Sequence, residues 1–168
     1  MPKTAGPRFA GANLVAVIAA AVAIFIVGSL FYGLIFAQVW QQQFLENHGA
    51  VPIGRGAELT GQALMDALAA VPGQMPMGMS LGFGFVLSLL TAFGLASAFV
   101  RMKPASLMAA LGIALLLWLG FVVPVLGYNI VYYAESRLDF VIDLGHTLVA
   151  LLAGAAVIFL IDGKALKT

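Results

Sequence analysis

The chain has 168 residues, 62% of them hydrophobic and 9% charged, with a net charge of +1 and a mean hydropathy of +1.06. Soluble domains carry about 25% charge, so water is not the only solvent this chain meets, and at about 150 residues per domain it reads as one unit over residues 1–168 with no appended soluble catalytic domain. The scattered bases offer nucleic acid no binding face, and the lack of cysteine excludes disulfides, thiolate chemistry and sulfur-ligated zinc.

Charged residues punctuate the chain and leave uncharged stretches at residues 9–45, 67–100, 104–134 and 144–161. A bilayer crossing takes about 20 mostly apolar residues, so each stretch supplies one. The expected fold is an all-α, four-helix transmembrane bundle with helices near residues 14–39, 79–99, 107–128 and 138–161. Lys3 and Arg8 precede the first apolar run. That run is longer than the roughly 7 to 15 residues of a signal-peptide core, and no small-residue cleavage site follows it near Val39, so it reads as a retained helix.

The outer loop, residues 40–78, contains ELTGQALMDALAAV with Leu64, Leu68 and Val71 at helical spacing, closed by Pro72-Gly73. It predicts a short amphipathic helix on the outer surface. Methionines alternate at Met75, Met77 and Met79, with Met65 and His48 in the same loop. Thioethers suit Cu(I), but methionine is also an adaptable apolar filler. No other metal set and no cofactor is implied.

On the second helix, Ser80, Gly84, Ser88, Ala92 and Ala96 recur every fourth residue, behind a GxxxG at Gly78 and Gly82. Small residues let helices approach closely in lipid, so this stripe predicts a contact ridge, within the bundle or between copies. On the third helix Pro124 cannot donate to the Gly120 carbonyl and its ring crowds that oxygen. A kink is expected there, serving either a polar cavity or shape alone.

The fourth helix carries Asp143 and His146 on one face, continued by Ala150, Ala153 and Gly154. Asn129 lies close to the same depth across a short turn, and Tyr32 on helix one is the fourth candidate. Ionisable groups inside a membrane mark ion paths, relays or paired structural contacts. An aspartate at the helix start and a hydrogen-bonded packing histidine would look the same in sequence.

Six of the eight bases, Lys3, Arg8, Arg101, Lys103, Lys164 and Lys167, fall on the side of the termini, and Arg55 and Arg137 on the other. The positive-inside rule then puts both termini in the cytoplasm. Trp40 and the group Tyr128, Tyr132 and Tyr133 mark the outer interface.

The segment from Trp118 to Ile161 resembles the bacterial membrane-protein family called domain of unknown function 1761, through Trp118, Gly120, Phe121, Pro124, Asn129, Asp143, Gly145 and His146 in order. Gly28, Tyr32 and Trp40 on helix one resemble that family's opening segment, although Phe31 stands where a second tryptophan is expected. The resemblance implies a small four-helix inner-membrane protein and brings no activity. With no GxSxG, HExxH or phosphate-cradling loop present, the expected function is non-enzymatic: an accessory subunit of a larger membrane complex or a homo-oligomer in the bilayer. The alternative is a proton-coupled carrier or small-ligand binder using Asn129, Asp143 and His146.

Overall fold

The computed structural model describes residues 6–52, 54–73, 75–133 and 136–166. Lys3, Glu135 and Lys167 lie outside them, as do the side chains of Tyr133 and Lys164. The chain opens with a two-residue hairpin, β1 (Arg8–Phe9) and β2 (Ala12–Asn13), whose turn residues Ala10 and Gly11 both have positive φ. Such a turn matches the twist of a tight hairpin. Asn13 then starts α1 (Leu14–Leu30), its side-chain oxygen accepting from the Val15 and Ala16 amides at 3.0 and 3.4 Å.

The remaining elements are α2 (Ala37–Asn47), α3 (Gly61–Ala69), α4 (Met77–Met102), α5 (Leu107–Leu117), α6 (Val123–Tyr133) and α7 (Arg137–Leu166). A π-helical turn, Phe31–Ile35, continues α1, and another, Trp118–Val122, joins α5 to α6. Four helical stretches are long and apolar enough to cross a membrane: Leu14–Ile35, Met77–Met102, Leu107–Tyr132 and Arg137–Gly163. The protein is an all-α four-helix membrane protein. Its first helix is not continuous to residue 39: it widens at Phe31, breaks at Phe36 (φ −114°, ψ 15°) and restarts as α2, whose sequence AQVWQQQFLEN is far more polar.

Helix α1 packs against both α4 and α7, and α5 packs against α7. Small side chains let them approach: Ala20 and Ala21 on α1 meet a core that includes Ala92, Ala96, Ala110, Ala114, Ala150 and Ala155, filled out by Ile24, Leu95, Phe99 and Ile158. Large apolar side chains such as Leu90, Leu116, Phe121, Val131 and Leu160 face outward, as lipid requires. The stripe on α4 is a contact only over part of its length. Ser88, Ala92 and Ala96 are buried and a Cβ on Gly84 would lie 3.5 Å from the Phe25 ring, whereas Ser80 is exposed and Gly78 and Gly82 face open space. The ridge therefore works inside the chain from Gly84 inward, beyond which α4 stands clear.

At one end the hairpin folds over the bundle. Gly11, at φ +84°, lies where a Cβ would sit 2.9 Å from Val100 at the end of α4. Beside it Arg8 pairs with Asp162 of α7, a residue only 4% exposed, and Asn13 donates to the same carboxylate at 3.3 Å. At the opposite end α2 and α3 form a small separate core of Leu45, Leu64, Leu68 and Val71. The amphipathic helix is thus shorter than the Glu58–Val71 segment, yet its predicted apolar positions are the buried ones.

The closest approach in the bundle is at Gly154, where a Cβ would lie 2.8 Å from Ile24 and 3.8 Å from Leu95. Gly154→Val should lower the stability of the detergent-purified protein by about 1 to 3 kcal/mol, because the Ile24 side chain must leave its place in a packed core to admit the added bulk. Gly94→Ala, with nothing within 4 Å, should leave the thermal transition unchanged or raise it; equal loss in both would contradict this packing.

Candidate functional site

Residues 143–147 of α7 lie between the two π turns. A π turn spreads one extra residue over the turn; around Phe31 it is closed by the Phe36 amide donating to the Phe31 carbonyl at 2.8 Å. The result brings Tyr32 against α7. Its hydroxyl donates to Asp143 Oδ1 and lies 3.3 Å from His146 Nδ1. The imidazole packs edge-on to the Tyr32 ring, with centroids 4.9 Å apart, and near Phe31 at 5.7 Å. Gly28 makes room for it: a Cβ there would lie 3.2 Å from His146 Nε2.

The second π turn supplies the other side. Trp118 donates through its indole N–H to Thr147 Oγ1 at 3.0 Å, and that hydroxyl lies 2.7 Å from the Asp143 carbonyl and 3.2 Å from the Leu144 carbonyl. Here the cause is in the sequence. Pro124 has no N–H and crowds the Gly120 carbonyl, and a turn closed by Val123 N–H to the Trp118 carbonyl stands immediately before it.

Tyr32, Asp143 and His146 therefore meet, and Asn129 does not join them: it is half-buried on α6 and its side chain makes no hydrogen bond among the described residues. Trp118 carries the family resemblance but has no site role in the sequence reading, and Thr147 has no place in it, although it stands one helical turn from Asp143. Asp139, one turn on the other side, has no site role there either; its Oδ2 accepts from the Asn47 amide at 2.8 Å.

The three parts of the trio exchange roles through one hydroxyl. When Asp143 is a carboxylate, Tyr32 donates to it and accepts from a protonated Nδ1. When Asp143 is a carboxylic acid, it donates to the Tyr32 oxygen, and the hydroxyl proton turns to a bare Nδ1. The same protons thus sit on either a carboxylate and an imidazolium or an acid and a neutral imidazole. Aromatic rings continue outward from the trio: Trp40 lies 6.0 Å from Tyr32, Phe44 5.4 Å from Trp40, and His48 4.1 Å from Phe44. The outer three line an open groove of about 370 Å³ with Val71, Met75 and Ser80. Met75 is in this groove while Met75, Met77 and Met79 are all exposed, and among the described residues no set of three His, Asp or Glu side chains converges on a metal position.

The family model for DUF1761, described as a protein of unknown function, matches residues 15–159. The chain belongs to the DUF1761 family. The matched segment contains Tyr32, Trp118, Asp143, His146 and Thr147, and stops short of the Arg8–Asp162 pair. No curated protein and no solved structure matches this DUF1761 chain.

Tyr32→Phe keeps the ring contacts and removes the hydroxyl between Asp143 and His146. It should cost about 1 to 3 kcal/mol, because buried polar groups lose a donor. Trp118→Phe should cost less, about 1 kcal/mol, since Thr147 keeps its backbone carbonyls. Thermal unfolding in one detergent checks the order, and a larger loss for Trp118→Phe would reverse the assignment of Tyr32 as the bridge.

Proposed function

We propose that this DUF1761 protein is a proton-handling membrane component, a proton-coupled carrier or small-ligand binder, in which Tyr32, Asp143 and His146 take up and pass a proton. The observation that carries the reading is the Tyr32 hydroxyl standing between a carboxylate and an imidazole. A pure packing role needs no such bridge, because either group alone is costly in a membrane and a leucine would pack as well. The reading as an accessory or oligomeric component draws on the α4 stripe and on the missing catalytic motifs, and the buried part of that stripe is already occupied within the chain.

The same reading places the protein in a bacterial inner membrane with both termini cytoplasmic. Arg8, Arg101 and Lys103 then lie on the cytoplasmic side, and the groove between α2 and the segment joining α3 to α4 opens to the outside, where a proton would enter.

Reconstituted in vesicles holding a trapped pH-sensitive dye, the wild-type protein should dissipate an imposed pH gradient faster than empty vesicles, and Asp143→Asn should not. Equal rates for wild type, variant and empty vesicles would sink the relay. For sidedness, Arg55→Cys should react with a membrane-impermeant thiol reagent in intact spheroplasts while Arg101→Cys stays protected; the opposite pattern inverts the topology.

A further inference from the structure

One buried polar side-chain atom among the described residues has no hydrogen-bond partner: Oδ1 of Asp139. The residue is 8% exposed, at the start of α7. Its other oxygen is held by the Asn47 amide, which ties the end of α2 to α7. Buried polar atoms nearly always find a partner, and an intramembrane carboxylate is costly without one. An orphan of this kind in a described site asks for a ligand.

The surroundings state its charge. Asp139, Asp143 and His146 lie at i, i+4 and i+7, one face of α7, so the orphan stands about 6 Å outward of Asp143 along the helix. The charged groups acting on it are Asp143 from its own helix and Glu46 from α2, both acidic. Asn47 from α2 is neutral, Tyr32 on the π turn after α1 is engaged with Asp143 and His146, and Arg137, the first residue of α7, is exposed. Glu46 is itself taken up by the Gly56 amide at 2.8 Å. Among the described residues the one Arg or Lys ion pair is Arg8–Asp162, at the far end. The missing partner is therefore a cation. A metal ion would need several converging oxygens, and no set of three acids or histidines converges among the described residues; a proton needs the one oxygen that is free.

We propose that Asp139 Oδ1 is a proton-binding position, the outer station of a row that continues through Asp143 and Tyr32 to His146. Its role rests on the relay reading above; its position does not. One proton from the outer side forms the O–H bond on Oδ1, leaves Oδ2 as the carbonyl oxygen that accepts from Asn47, and neutralises one of the neighbouring carboxylates. The acid hydrogen then faces the space one turn from Asp143, where it is handed inward as Asp143 becomes the acid and Asp139 returns to a carboxylate.

The test is infrared absorption of the full chain in phosphatidylcholine vesicles at neutral pH, with exchange from H2O to D2O. A protonated-carboxyl stretch sensitive to D2O is expected. It should vanish in Asp139→Asn, survive in Asp143→Asn, and move to higher frequency in Asn47→Ala, which removes the hydrogen bond from the carbonyl oxygen. Where Asp139→Asn fails to fold, the Asn47→Ala shift decides. The site is overturned by a spectrum without the band, by a band that survives Asp139→Asn in folded protein, by a band indifferent to Asn47→Ala, or by loss of the band when NaCl replaces KCl, which would make the ligand sodium. The band without any proton flux in the dye assay would refute the relay alone; flux without the band would refute this site alone.

Discussion

Inside lipid no water is available to a backbone N–H, so a helix that departs from regularity must re-satisfy its own hydrogen bonds. Both departures in this chain meet that demand in the same way, by widening into a π turn, and both occur opposite the same stretch of α7. The site depends on that. Tyr32 is the second residue of one π turn and Trp118 the first of the other, so both side chains of the site stand where their helices widen. What polar chemistry the membrane core holds is held by two turns that each keep their amides bonded while turning one side chain toward a common partner.

The ends of the bundle solve a different problem. Asp162 is almost fully buried and takes both Arg8 and Asn13, so the N-terminal hairpin is pinned to the end of the last helix. Breaking a buried pair leaves a bare charge and is far more costly than the pair is stabilising. The pair's value is thus in register: it fixes where α1 begins relative to where α7 ends. That in turn sets Tyr32 level with Asp143. It lies outside the family match at residues 15–159, and serves this chain's own ends.

The spans were legible because charge is excluded from them, and composition alone marks such stretches. The face of α7 bearing Asp143 and His146 was legible because helical spacing is regular there, and Tyr32 followed from its depth on helix one. The π turns were not legible. Nothing in FYGLI announces an extra residue in the turn, and in WLGFVVP only the proline hints at one. The short turn that suggests a common depth for Asn129 says nothing of which way its side chain faces, and nothing in the spacing pairs Trp118 with Thr147. Asp139 was hidden for another reason: sequence shows an acid near an interface as naturally solvated, and only the fold shows that α2 returns to cover it with Asn47. The outer end of the α4 stripe, Ser80 behind Gly78 and Gly82, packs against no helix, since four-residue spacing says that a neighbour would fit and not that one is there.

The break at Phe36 has a mechanical meaning. A helix interrupted in this way is an arm on a hinge, and α2 is such an arm, yet it is braced twice: near the hinge by the Trp40 ring against Tyr32, and at its tip by Asn47 against Asp139. An arm braced at two points cannot swing without disturbing both. The groove walls at Trp40, Phe44 and His48 therefore share one element with the ring that touches Tyr32 and the amide that holds Asp139, so the outer cap and the buried row are joined at both ends of the same arm.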